Sequence, residues 1–300
     1  DSAQMITRAT LFGLLVVGAG GALGLWNEMR TAARADLLAL GAGRVIETTP
    51  DTIPDSVRGA LVHVQGIAQP DGVLTDPLFD LSEEFITLTR RVEMYQWDER
   101  RRTRTDSNGR KRTEYEYDEV WSERLIDSDG FRRSMRHPNP PTMPVTSQRW
   151  TADTVFLGTY ELDPVLVEKI PGPYAQEPTP SWREALTDSL GQQFTLSGTT
   201  LYSGNPAHPR VGDLRIEIEA TRSTQVSIVA QERDGMLVPF THPAGEIALV
   251  SMGLDTPDEM FAQAQSSNTG WGRVIRVGAI ALALLGLVLA WRGRARPAAQ

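Results

Sequence analysis

The sequence predicts an α+β membrane protein, in which a mainly-β extracytoplasmic domain lies between an N-terminal and a C-terminal transmembrane helix. Three observations favour this class. A long apolar segment lies near each end of the 300-residue chain, the stretch between them alternates apolar and polar residues in many short runs, and an arginine-rich tail follows the second segment. Such alternation is typical of strands with one buried face, and long apolar runs are typical of membrane helices.

The first apolar segment is residues 9–26, ATLFGLLVVGAGGALGLW, and it carries no charge. As a helix it would be about 27 Å long, close to the ~30 Å hydrocarbon core of a bilayer. Gly20 and Gly24 have the G-x-x-x-G spacing that allows close approach of a second helix, so we predict that they mediate helix packing. A secretory signal peptide is the alternative, but the run is longer than a typical signal core and lacks an A-x-A cleavage site before the charges.

The second apolar segment is residues 274–291. Trp271 and Trp291 bracket it as interfacial aromatic residues bracket a membrane span, and the long side chain of Arg276 can reach the interface. A buried core helix is the alternative. The basic tail that follows, residues 292–300, argues against it.

The tail also predicts the orientation. Arg292, Arg294 and Arg296 lie within a few residues of the second span, and short positively charged flanks stay in the cytoplasm. Two spans then place both chain ends in the cytoplasm and the central domain outside it. The chain is rich in arginine and has two lysines, Lys111 and Lys169, which favours a GC-rich bacterial source. The predicted location is therefore a bacterial inner membrane with a periplasmic domain.

Composition limits the chemistry. Apolar residues make up 40% of the chain and charged residues 23%, which is typical of a folded protein. The absence of cysteine excludes disulfides, thiolate catalysis and cysteine-based metal sites. The formal net charge is −8, and residues 27–271 carry 24 basic and 37 acidic residues. An acidic domain outside the cytoplasm is a poor match for nucleic acid, so we predict no nucleic-acid partner.

The central region is predicted to form two β-rich halves. Residues 27–170 form the first half and residues 181–270 the second, and a proline-rich linker, residues 171–180, joins them. The first half includes a long charged hairpin over residues 92–121. Asn108-Gly109 supplies its turn, because both residues tolerate positive φ.

The hairpin is the candidate partner-binding element, since seven basic residues lie between Arg100 and Arg112, carboxylates flank them and both ends are aromatic. A two-residue loop at Asn108-Gly109 would place Arg102 opposite Tyr115 and Arg100 opposite Tyr117, whereas a four-residue loop would shift this register. A solvated hairpin laced with ion pairs is the alternative. The candidate partner-binding residues are Arg100, Arg102, Arg104, Arg112, Tyr115 and Tyr117.

Several stretches together resemble the transmembrane protein 43 family, also called LUMA. They are LWNEMR, GALVHVQG, RRVEMYQW, EYEYDEVW, HPNPPTMP, LYSGNPAHPRVGDLRI, LVPF and MFAQAQSSN, in this order from the first span nearly to the second. The resemblance implies a large non-cytoplasmic domain and a membrane organiser that associates with itself and with other membrane proteins, with no established catalytic activity. Two features depart from the family: Met29 replaces a glycine, and this sequence contains one C-terminal span where the family usually has several, so the C-terminal part is either reduced or lies beyond this sequence.

We expect no catalytic, cofactor or metal site. The histidines His63, His137, His208 and His242 lack metal-ligand spacing, and no serine-nucleophile or phosphate-binding motif occurs. Asp76, Glu93 and Asp213 lie in the family-like stretches, where buried hydrogen-bonded carboxylates explain them as well as catalysis does.

Three functions follow as hypotheses. The first is a non-enzymatic scaffold, in contact with membrane lipid, that binds itself or other membrane proteins. The second is a membrane-anchored module for a lipid or another apolar ligand. The third is a carboxylate- or histidine-based hydrolase.

Overall fold

The computed structural model describes residues 8–105 and 111–294. The α-helices are α1 (Arg8–Ala42), α2 (Pro164–Val167), α3 (Pro180–Leu190) and α4 (Pro257–Arg294), and short 3-10 turns cover Asp55–Val57 and Ser134–Arg136. The strands are β1 (Ile46–Thr48), β2 (Leu61–Pro70), β3 (Leu74–Asp76), β4 (Leu81–Glu83), β5 (Phe85–Thr105), β6 (Lys111–Ser122), β7 (Gln148–Thr151), β8 (Val155–Leu157), β9 (Tyr160–Leu162), β10 (Tyr174–Ala175), β11 (Thr195–Ser197), β12 (Thr200–Tyr202), β13 (Leu214–Arg222), β14 (Thr224–Arg233), β15 (Met236–Val238), β16 (Phe240–His242), β17 (Gly245–Ile247) and β18 (Leu249–Met252). The chain is thus α+β, with a long apolar helix on either side of a mainly-β centre, as the sequence predicts.

Two compact units make up the described chain. The first contains residues 8–66, 157–170 and 225–294, and the second contains residues 67–105, 111–156 and 171–224. The units interleave along the sequence, which differs from the predicted sequential halves, 27–170 and 181–270. The physical reason is strand pairing between distant segments, as where β9 pairs in parallel with β15.

The first unit is built on a sheet in the order β1-β2-β8-β9-β15-β14-β18. Its inner face packs against the parts of α1 and α4 nearest the sheet. Leu37 and Leu38 of α1 and Phe261 of α4 are buried there together with Val229 and Ile247. Each of these helices is therefore continuous from its apolar segment into the core of the unit.

The second unit is built on a sheet in the order β11-β12-β13-β5-β6. β13 alternates as predicted, with Leu214, Ile216 and Ile218 buried and the intervening side chains more exposed. It pairs antiparallel with the first half of β5, and α3 covers the core with Trp182 and Leu186. The buried first half of β5 thereby anchors a strand whose second half leaves the core.

The apolar segments of α1 and α4 form an antiparallel helix pair within the first unit. Both helices are long and apolar enough to cross a membrane, and large side chains such as Phe12, Leu15 and Val277 are mostly exposed on them. Exposed apolar side chains in this number are typical of a surface solvated by lipid. Gly20 meets the other helix: a Cβ atom there would lie 2.8 Å from the Ala279 carbonyl oxygen.

Where the helix pair leaves its apolar segments, side chains join the two helices. Asn27, fully buried, donates through Nδ2 to the Gly272 carbonyl at 2.9 Å, and Asn268 donates to the Thr31 carbonyl at 2.9 Å. Arg276 forms two bonds to the Glu28 carboxylate, at 2.6 and 3.0 Å. Buried amide bonds of this kind fix the relative position of two helices, because a shift along the axis would leave the amides unpaired.

Candidate interaction site

The outer part of the hairpin forms a two-stranded ribbon, here called the charged ribbon, made of residues 98–105 and 111–118. β13 pairs with β5 only as far as Met94, and β7 pairs with β5 only at its inner end. From Asp98 outward, β5 therefore pairs only with β6 within the described chain, and β6 is the last strand of its sheet. Both outer edges of the ribbon present backbone groups that no strand occupies in the part of the chain that the structure describes.

The register of the ribbon corrects one prediction. Arg102 lies opposite Glu114 and Arg100 opposite Glu116, while Tyr115 lies opposite Arg101. The predicted pairs of Arg102 with Tyr115 and Arg100 with Tyr117 are wrong, because Thr105 lies opposite Lys111, and the odd number of residues between these two shifts the register by one residue from that of a two-residue loop. The predicted turn at Asn108-Gly109 falls in that connection, outside the described residues.

One face of the ribbon carries a ladder of ion pairs. The arginines reach diagonally to the next carboxylate of the other strand instead of the residue opposite. The pairs are Arg100–Asp118 at 3.7 Å, Arg102–Glu116 at 3.0 Å and Arg104–Glu114 at 3.7 Å. Exposed pairs contribute about 0–1 kcal/mol each, so the ladder defines a surface pattern more than it stabilises the fold. Arg112 lies opposite Arg104, which brings two positive charges together near the tip.

The other face of the ribbon is partly covered by the loop over residues 126–139. Tyr117 stacks on His137 with ring centroids 3.8 Å apart, and its hydroxyl donates to Glu99 at 2.5 Å. Burial and then the Glu99 carboxylate raise the pKa of Tyr117. Of the two predicted partner-binding tyrosines, Tyr117 is thus engaged within the fold, whereas Tyr115 is exposed beside Arg101.

Asn139 holds the base of the ribbon, and the sequence analysis did not identify it. Its side chain accepts from the Trp97 backbone N–H at 2.7 Å and donates to the Trp97 carbonyl at 2.9 Å, as a neighbouring strand would. Its Nδ2 also donates to the Ile126 carbonyl at 3.0 Å. The sequence feature that could have indicated this role is the asparagine between the prolines of HPNPPTMP. An asparagine side chain can both accept from the N–H and donate to the carbonyl of one residue on a strand edge.

The carboxylates weighed as catalytic candidates all have partners in the fold. Glu93 pairs with Arg215 at 2.5 Å, Asp76 with Arg90 at 2.5 Å, and Asp213 accepts from the Arg210 backbone N–H at 2.7 Å. Among the described residues, no group of three or more histidines and carboxylates could hold a metal ion. These contacts engage each of the three carboxylates within the fold, and Oδ2 of Asp76 is buried with no hydrogen-bond partner among the described residues.

His63 is buried in β2 of the first unit. Its Nε2 lies 3.0 Å from the Asp255 carbonyl, and its Nδ1 lies 3.9 Å from the exposed Glu47 carboxylate. Burial lowers the pKa of His63, and the Asp255 carbonyl and Glu47 oppose that shift. The folded state therefore favours the neutral ring.

Acidification is expected to destabilise the protein through His63. As the pH falls through about 6.5, the unfolded chain binds a proton that the folded chain resists, so the free energy of unfolding decreases by up to about 1.4 kcal/mol per pH unit. The midpoint of thermal unfolding is therefore expected to fall less between pH 7.5 and pH 5.5 in His63→Gln than in the unaltered protein. The exposed His208 supplies the control variant, His208→Gln, and an equal effect of both variants would contradict the assignment.

Comparison with known proteins decides the family. A family model described as transmembrane protein 43 matches residues 94–293. The chain belongs to that family. Transmembrane protein 43 from Rattus norvegicus is 30% identical over 266 residues, covering 82% of this chain and 64% of the relative. The Homo sapiens protein is 30% identical over 267 residues with the same coverage.

The Drosophila melanogaster homolog of transmembrane protein 43 is 30% identical over 280 residues, covering 88% of this chain and 72% of the relative. The chain thus spans about two thirds of the length of the transmembrane protein 43 relatives that it matches. No solved structure matches it. Membership in a membrane-protein family agrees with two exposed apolar helices, so α1 and α4 are transmembrane helices.

Proposed function

We propose that this member of the transmembrane protein 43 family is a non-enzymatic membrane organiser. Its helix pair anchors the β-rich centre on the periplasmic face of a bacterial inner membrane, and the C-terminal tail lies in the cytoplasm. The charged ribbon docks onto a second copy of the chain or onto another membrane protein. The observation that carries this proposal is the ribbon itself, which extends beyond the sheet with both backbone edges unpaired within the described chain.

The open edges favour docking because an unpaired strand edge is a template for another strand. A two-stranded ribbon alone is also marginally stable in water. The fold nevertheless fixes its base, through the Asn139 bonds to Trp97 and the stack of His137 on Tyr117. A fixed base and exposed outer edges are what a docking element requires.

The charges favour a specific partner. On the ladder face a row of arginines on β5 lies beside a row of carboxylates on β6, so a partner with the complementary order gains attraction and other surfaces meet like charges. Arg101 and Tyr115 supply an exposed cation and an exposed aromatic ring on the other face. Tyrosine and arginine are enriched at protein interfaces.

Cross-linking from the ribbon tests the proposal. Because the chain has no cysteine, Tyr115→Cys provides one attachment point for a photoactivated cross-linker in native membranes. We expect adducts to a second copy or to one membrane protein. Leu196→Cys, exposed in β11 of the same unit, is the control position. Absence of adducts from position 115, or identical adducts from both positions, would overturn the docking role.

A charge swap separates docking from folding. Exchanging the ions of the Arg102–Glu116 pair, by Arg102→Glu with Glu116→Arg, keeps the internal pair but reverses the pattern that a partner meets. Adduct yield from position 115 is expected to fall several-fold. The free energy of unfolding is expected to fall by no more than about 2 kcal/mol, because the swap also places like charges opposite Glu114 and Arg100, each costing about 0.2–1 kcal/mol.

A further inference from the structure

We propose that the outer edge of β6 pairs with the same edge of a second copy of the chain, antiparallel and centred on Thr113. The inference rests on the proposed docking role of the charged ribbon, and it names the partner and the register. β6 is the last strand of its sheet, and the side chains of Lys111, Arg112 and Thr113 at its outer end are exposed. This edge offers its backbone groups to another strand.

Symmetry limits the registers that two copies can adopt. Residues directly opposite each other in an antiparallel pair point to the same face of the sheet, and side chains alternate between the two faces along a strand. The two-fold axis of a pair of identical strands therefore passes beside a residue that lies opposite its own copy. The choice of this central residue fixes which charges of the two copies meet.

A centre at Thr113 brings opposite charges together. Arg112 of each copy then lies opposite Glu114 of the other copy, on the ladder face of both ribbons. On the other face, Lys111 lies opposite Tyr115, and Thr113 lies opposite itself. Opposite charges and threonine pairs that face each other across two strands stabilise their pairing.

Other centres on the ribbon bring like charges together, which destabilises strand pairing. A centre at Arg112 or at Glu114 places that residue opposite its own copy. A centre at Tyr115 places Glu114 opposite Glu116 twice, and centres closer to the base bring carboxylates together in the same way. From residue 111 to residue 118, Thr113 is the one centre that joins opposite charges without joining like charges.

Arg112 supplies an independent observation in favour of this register. The other arginines of the ladder face each reach a carboxylate of β6. Arg112 instead lies opposite Arg104 and forms no ion pair with any residue that the structure describes. In the proposed register, Glu114 of the second copy supplies the carboxylate that the ribbon itself does not give to Arg112.

The centre lies near the tip, so the two ribbons overlap over residues 111–115 and extend from the contact in opposite directions. A contact of five residues from each copy is small. Both copies are anchored in one bilayer, however, which raises their effective concentration. The two-fold axis is perpendicular to the paired ribbons, and both anchors enter the same bilayer when this axis is parallel to the membrane normal.

Disulfide trapping in native membranes tests the pairing, since the chain has no cysteine. In the proposed register the Cα atoms of residue 113 in the two copies are about 4.5–5.5 Å apart, within the range of a disulfide. Thr103 is the matched control, because it is an exposed threonine opposite Thr113 on β5 but lies about 14 Å from its own copy. Thr113→Cys is expected to form the disulfide dimer at least five-fold faster than Thr103→Cys.

A charge swap tests the register. Adding Arg112→Glu to Thr113→Cys places two carboxylates opposite each other and is expected to slow dimer formation at least five-fold. Adding Glu114→Arg as well restores an opposite-charge pair in the reverse order, so the rate should recover. A rate that stays low in the triple variant, with thermal unfolding unchanged, would contradict the proposed pair.

Equal rates from Thr113→Cys and Thr103→Cys, or a faster rate from Tyr115→Cys, would overturn the pairing. The docking role is judged separately, by the photoactivated cross-linker at position 115. Adducts to another membrane protein without the disulfide at position 113 would support docking and overturn this inference. Absence of both products would overturn both proposals.

Discussion

Asp76→Asn is expected to lower the free energy of unfolding of the second unit by about 3–5 kcal/mol, because it leaves a buried guanidinium without its carboxylate. The side chain of Asp76 is fully buried and that of Arg90 is 8% exposed. Burial raises the pKa of the Asp76 carboxyl, and Arg90 opposes that rise, so the guanidinium offsets part of the cost of burying the carboxylate. Arg90 also donates to the Thr146 carbonyl at 3.2 Å, which ties β5 to the segment before β7.

Thermal unfolding followed by tryptophan fluorescence measures this effect, since Trp150 lies against Arg90. A decrease of about 10 °C or more is expected for a unit of this size. Glu83→Gln removes an exposed partner of Arg222 and should cost less than about 1 kcal/mol. Adding Arg90→Met to Asp76→Asn should recover much of the loss. A loss no larger than that of Glu83→Gln would contradict the buried pair.

Gly20→Leu is expected to destabilise the transmembrane helix pair by about 1–3 kcal/mol, because no space exists for its side chain. A Cβ atom at Gly20 would lie 2.8 Å from backbone atoms of Ala279 and Ala283, and one at Gly286 would lie 2.6 Å from the Val17 nitrogen. Backbone atoms cannot rotate away, so the helices would have to separate. Gly286→Leu should therefore have a similar effect.

Gly18 and Gly21 supply the matched controls on the same helix. Nothing lies within 4 Å of a Cβ atom at either position, so Gly18→Leu and Gly21→Leu should leave the pair intact. The measurement is the fraction of sodium dodecyl sulfate that unfolds the protein in mixed micelles. Equal midpoints for the Gly18 and Gly20 variants would mean that the close approach of the helices does not stabilise them.

The transmembrane helices could be predicted from sequence because lipid imposes one composition over a fixed length. The identity of the helix that packs against Gly20 was not predictable. The G-x-x-x-G spacing indicates that a helix can come close, but it does not distinguish a helix of the same chain from one of a partner.

The central region was predictable as strands and not as a topology. The strands β13, β5 and β6 were predictable from alternating residues in β13 and from the matching aromatic and charged runs of β5 and β6. A strand that buries one face has an apolar residue at every second position. Register depends on loop length, and a shift of one residue from the predicted register places Arg100 opposite Glu116 and Arg102 opposite Glu114 instead of opposite tyrosines. Contacts between distant segments, such as Tyr117 with His137, leave no local pattern at all.

The unbroken course of α1 and α4 from lipid into the first sheet couples that sheet mechanically to the bilayer. The hydrogen bonds of Asn27 and Asn268 oppose sliding of the two helices along each other. Leu37 and Phe261 are buried in the core of the first unit, at the helix ends that lie away from the membrane. When a thinner membrane tilts the anchor, the first unit must swing through the same angle. Bilayer thickness would then set the direction in which this sheet faces.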